Sequence, residues 1–118
     1  MGMWVILIGD SNLTIDRFQD MKFIGNKEII KTEYSIDVIY ETGYAQFNDD
    51  TGNYIIGDYT QSEIEKFPFR DVRMIMLKCS DMQLLKKVID EDDFPDDVIV
   101  DYDRGNIGLD DIFGPEQL

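Results

Sequence analysis

Residues 4–8, Trp-Val-Ile-Leu-Ile, form an unbroken apolar run closed by Gly9 and Asp10. Such a run is the pattern of a strand buried on both faces. Leu13, Phe18 and Met21 follow at helical spacing, with Ile24 as a further member, and Ser11, Asn12 and Thr14 offer caps. A short helix is expected over 14–22, ended by Gly25 and Asn26. From residue 29 the period changes to two. Tyr34, Ile36, Val38 and Tyr40 fall on one face, and Ser35, Asp37 and Glu41 on the other. Gly43 permits a turn, 44–47 reads as the next strand, 48–52 as a turn and 53–59 as a third strand. This is an antiparallel meander. Thr60 and Ser62 then open a short helical turn through Phe67, with Glu63 and Glu65 at its positive end and Pro68 closing it.

The strongest pattern lies in residues 72–104. Two apolar runs, 72–79 and 98–102, bracket about a dozen residues of helical spacing, as in a βαβ crossover. Ser80 as N-cap with Gln83 three residues on makes a capping box. Met82, Leu85, Val88 and Ile89 supply one apolar stripe, and Pro95 stops the helix from continuing. The expected fold is a single α+β domain over 1–118. It has a mixed sheet with an N-terminal βα unit, a β-meander and a C-terminal βαβ unit.

Charge changes the picture more than composition does. The chain of 118 residues has 25 acidic and 11 basic side chains and no histidine. Residues 90–118 alone carry 11 of the acids and a single base, Arg104. Such a field repels nucleic acid and anionic membrane and attracts basic proteins and cations. Cys79 is the only cysteine, which excludes an internal disulfide and fits a reducing, cytoplasmic setting. No stretch approaches the roughly 20 apolar residues of a membrane span. No motif calls for a cofactor.

Gly9-Asp10-Ser11 after an apolar strand resembles the opening motif of the SGNH hydrolases, in which the serine is the nucleophile. That family needs a histidine base, and this chain has none, so Asp10 and Ser11 are read as caps. Residues 98–103, ending Asp101-Tyr-Asp103, resemble the first motif of haloacid-dehalogenase-type phosphatases, but only fifteen residues follow where that family has its whole core. Asp10, Asp101 and Asp103 close strongly apolar strands. They are the alternative candidates for a divalent metal and carboxylate chemistry, should Asp10 and Asp101 meet across adjacent strand ends.

The run 90–97 offers a different chemistry. Asp90, Glu91, Asp92 and Asp93 crowd a helix C-terminus, where the macrodipole and their mutual repulsion oppose them. Phe94 lies among them, Asp96 and Asp97 follow, and Tyr102 is close behind. An aromatic anchor ringed by charge is how fast, tight interfaces are built. The expected function is therefore non-catalytic binding of a basic protein partner through these eight residues. In size, acidity and lack of catalytic equipment the chain is similar to small immunity proteins that neutralise toxins. A metal-dependent carboxylate enzyme, and a structural subunit docking through a meander edge or an apolar face of the helix from Ser80 to Ile89, are the alternatives. Of the tyrosines, Tyr34, Tyr40, Tyr44, Tyr54 and Tyr59 are read as sheet packing rather than as a binding face.

Overall fold

The computed structural model describes residues 3–102. It is an α+β domain built on one six-stranded sheet, with strands β1 (Met3–Gly9), β2 (Asn26–Lys31), β3 (Ser35–Tyr40), β4 (Gly43–Asp49), β5 (Arg73–Cys79) and β6 (Ile99–Asp101). Three α-helices accompany it: α1 (Asp16–Gln19), α2 (Gln61–Glu65) and α3 (Met82–Ile89). Across the sheet the order is β2-β3-β4-β5-β1-β6.

Every pair in this sheet is antiparallel, which corrects the expectation of a mixed sheet. The crossover itself is present: β5 and β6 run the same way, joined by α3. They do not touch, because β1 lies between them and pairs with both. The reason lies in the apolar run of β1. Val5 and Leu7 are buried on one face, Ile6 and Ile8 on the other, and a strand apolar on both faces is satisfied only inside a sheet.

The two faces are covered differently. Over one, Val5, Leu7, Ile36, Val38, Phe47, Ile75 and Leu77 meet Phe18 of α1 and Leu84, Leu85 and Val88 of α3. Phe18 stacks on Phe47 with ring centres 4.5 Å apart, and Phe23 tilts against Phe47 at 5.7 Å. Over the other face, Ile6, Ile8, Tyr59 and Met74 are roofed by Ile55, Ile56, Ile64, Phe67, Phe69 and Val72.

That roof is where a third meander strand was expected over 53–59. The segment is instead a turn followed by a 3-10 turn at Ile56–Asp58. Asp50 turns the chain: its carboxylate accepts the N–H groups of Ile55 and Ile56 at 2.9 and 3.0 Å. Asn53 adopts a left-handed φ of 56°, a conformation asparagine tolerates. Adjacent Ile55 and Ile56 both belong to the second-face cluster, which a strand with alternating faces would not allow. The meander is completed by β2, which pairs with β3 from the other side.

Capping follows the sequence in one helix and departs from it in another. Thr60 and Glu63 form the reciprocal capping box of α2, each side chain accepting the other residue's backbone N–H at 3.1 and 2.9 Å. In α3 the N-cap is Asp81, not Ser80; its carboxylate accepts from Leu84 N–H at 2.9 Å. Ser80 is otherwise engaged. Its N–H donates to Tyr44 C=O, and its Oγ accepts Tyr44 N–H, both at 3.0 Å. The β4–β5 ladder thus continues one residue past Cys79 and withdraws Ser80 from the helix.

Candidate partner interface

Beyond α3 the acidic run folds back along the loop that joins α1 to β2. Glu91 Oε1 accepts the N–H of Ile24 at 3.0 Å, and Asp93 Oδ2 accepts the N–H of Lys22 at 2.9 Å. Asp97 takes both guanidinium nitrogens of Arg17, at 2.8 and 3.2 Å, and that hydrogen bonding holds its carboxyl below the usual carboxylate range. Lys87 of α3 adds a donor to the C=O of Ile24 and stands 5.0 Å above the Tyr40 ring. Three of the acids therefore serve the fold, which accounts for part of the unfavourable charge at the helix end. Asp90, Asp92 and Asp96 are exposed, and no hydrogen bond or ion pair joins their side chains to other described residues.

What the clamp holds is a strained loop. Phe23 has φ 46° and Gly25 φ 88°. Glycine takes such a value freely, whereas for a bulky side chain it costs on the order of 1–3 kcal/mol. The strain sends Phe23 into the core, fully buried, and turns its neighbour Ile24 outward, 65% exposed. Lys22, Ile24, Glu91, Asp92 and Asp93 line a shallow depression of about 110 Å³ at this point. An exposed apolar side chain thus stands between Glu91, Asp92 and Asp93 on one side and Lys22 and Lys87 on the other.

Phe94 and Tyr102, expected at the partner-binding surface, turn towards the core. Phe94 is half-buried, its ring 6.1 Å from that of Phe18, and Tyr102 is 8% exposed in the main core. Phe94 is isolated among acids in the sequence but not in space, and Tyr102 closes the apolar run of β6, so both fold inward. By spacing Ile24 belongs with the apolar set of the first helix, and the pair Gly25-Asn26 is the sign in the sequence that the chain reverses there.

The alternative metal ligands are not brought together. Asp101 pairs with Ile6 across antiparallel strands, four residues from Asp10 and so roughly 13 Å along the strand. Asp10 accepts the N–H of Asn12 at 2.8 Å as a local turn, and Asp101 accepts the hydroxyl of Tyr59 at 2.6 Å. Asp103 lies outside the described residues. Among the described residues no group of three or more His, Cys, Asp or Glu side chains is placed to hold a metal ion. The tyrosines differ in burial: Tyr40 and Tyr59 are buried, while Tyr34 and Tyr54 are exposed.

Cys79 is fully buried, and burial, followed by the charge of Asp81, pushes its thiol up to about 12. Burial, and then the charge of Asp90, likewise raises the Tyr102 hydroxyl to about 12. Both groups are neutral in the folded protein and ionise nearer 9.0 and 10.0 once released. Their contribution to stability is complete below about pH 9 and is lost as the pH climbs towards 12. Urea midpoints should hold steady around pH 8 and fall steadily from pH 9.5 to 11, and Cys79 should stay unreactive to thiol reagents until the protein unfolds. A midpoint unchanged over that interval would contradict the burial of both groups.

No family model matches the chain, and no curated protein or solved structure matches it either. Among the described residues no helix is long and apolar enough to cross a membrane.

Proposed function

We propose that the protein is a non-catalytic module that binds a basic protein partner, acting in the cytoplasm as an immunity or inhibitor protein, for instance against a bacterial toxin. The observation that carries this reading is Ile24. A strained backbone, two carboxylates and Lys87 fix a largely exposed isoleucine where the acids are densest. Backbone strain of this kind persists only where the surroundings enforce it, and it concentrates at working surfaces. Exposed Asp90, Asp92 and Asp96 would steer a basic surface inward, and Ile24 would then be desolvated against it.

The decisive comparison is capture from a lysate of the source cell at low and at high salt, with wild type beside two variants. One carries Asp90→Asn, Asp92→Asn and Asp96→Asn; the other carries Ile24→Asp. Glu91, Asp93 and Asp97 are left in place, because neutralising them would release the loop. The expected result is a single basic protein, held at low salt, freed as salt rises and lost from both variants. A captured protein indifferent to both sets of changes would refute this surface as the interface.

A further inference from the structure

We infer that two copies of this chain pack sheet against sheet through the open half of the second sheet face, about a two-fold axis running along β4. The roof over that face rests on Ile6 and Ile8 of β1 and on Met74 and Met76 of β5, and no residue of β2, β3 or β4 belongs to its cluster. Val38 and Phe47 point into the first core, so alternation puts their neighbours Asp37 and Gln46 on the open face. The strand registers draw one row across it: Ile30, Asp37, Gln46, Lys78 and Trp4, on β2, β3, β4, β5 and β1 in turn. Two members of the row want a partner. Asp37 Oδ1 is buried and accepts no hydrogen bond from described residues, and Lys78 is in none of the ion pairs between described residues. A buried acceptor left unsatisfied is unfavourable, so the row calls for a donor that its own fold does not bring.

The row is its own complement. A two-fold axis lying in the interface, parallel to β4, exchanges the strands on either side of β4. Gln46 then faces Gln46 of the other copy, Asp37 faces its Lys78, and Ile30 faces its Trp4, each of the last two pairs twice. A short aspartate opposite a long lysine suits the separation of about 10 Å at which sheets pack face to face. Beside Trp4 an apolar cleft of about 390 Å³ opens between the sheet and the roof, lined also by Tyr54 and Ile55. Ile30, 44% exposed, is the side chain that the axis carries towards it. The roof of each copy comes to lie over β2 and β3 of the other, which the single chain leaves open. Charge selects the occupant. The row holds one acid and one base on a chain of net charge −14, so a uniformly basic or acidic surface would set like charges together, whereas a second copy pairs both. The first face, with α1 and α3, points outward in both copies.

The test is sedimentation velocity of the full chain over a range of concentrations in about 0.15 M salt, where a screening length of about 8 Å damps the distant repulsion of two acidic copies but not a pair in contact. The wild type should pass from monomer to dimer. Asp37→Lys and Lys78→Asp should each weaken the dimer about tenfold, since each sets like charges together at two places, and the two combined should restore it. Within one copy the two positions are two strands apart, about 10 Å, with Gln46 between them. Recovery arising inside one copy would make the urea midpoints of the dilute monomer fall and recover in the same pattern, and that pattern would overturn the proposal. Gln46→Glu probes the axis with a smaller change: a carboxylate then faces its own image, and the dimer should weaken while the unfolding midpoint holds. A monomer at every concentration, a dimer indifferent to the single changes or to Gln46→Glu, or a double variant that stays weak would each overturn it as well.

Discussion

Phe18→Ala should lower the unfolding free energy by about 3–5 kcal/mol, the usual penalty for emptying a buried aromatic site. Against a total of about 5–15 kcal/mol for a domain, that is most of the margin at the lower end. Phe18 is fully buried and joins three parts of the molecule at once. Its ring stacks on Phe47 of the sheet, sits on α1, and lies 6.1 Å from Phe94 in the acidic segment. The last contact gives the substitution a second signature. Loss of Phe18 should loosen residues 90–97 as well as the core, so amide exchange at Lys22 and Ile24, whose N–H groups are held by Asp93 and Glu91, should accelerate beyond the global effect. Denaturant unfolding and hydrogen exchange on the same sample would measure both. A loss under about 1 kcal/mol would mean that the core does not centre on this ring.

Gly43→Ala is the second large effect, and it comes from crowding. A β-carbon at Gly43 would meet Ser80 Oγ at 1.9 Å and Leu84 Cδ1 at 2.8 Å. Overpacking of this kind costs about 1–3 kcal/mol. The hydroxyl most in the way is also the acceptor for Tyr44 N–H, and displacing it costs about 1 kcal/mol more. A fall of about 3 kcal/mol is expected, or roughly 10 °C in Tm for a chain of this size. Ser80→Gly in the same chain removes the Oγ clash and should recover part of the loss. Leu84 keeps the recovery incomplete. If Gly43→Ala melts with the wild type, the close approach of β4 to the start of α3 is not as described.

These two positions mark what could and could not be read from the sequence. The apolar run of β1, the alternation at Ile36, Val38 and Tyr40, and the stripe of α3 were legible because each is a local periodicity with a single geometric meaning. The insertion of β1 between β5 and β6 was not, since periodicity says that a strand is buried and not which strands bury it. Ser80 was misread as a cap because its partner, Tyr44, is 36 residues away. The acidic surface was half legible: the charge was plain, but the division of labour was hidden. Nothing in the order Glu91-Asp92-Asp93 tells that the first and third hold a loop while the second faces solvent. Ile24 was missed for the same reason, its exposure being decided by the backbone of Phe23.

The place of β1 in the sheet also has a consequence in time. Its partners are residues 73–79 and 99–101, so β1, once synthesised, waits for some 70 further residues before its ladder can form. At about 5–20 residues per second that interval is several seconds. Throughout it Trp4-Val-Ile-Leu-Ile8 is a β-prone apolar segment with no charge of its own, the composition most prone to pair with other chains. The meander of β2, β3 and β4 closes only short loops and can assemble meanwhile. On synthesis β1 thus precedes the strands that cover it by a wide interval, and the yield should depend more on chaperone supply than the folded stability would suggest.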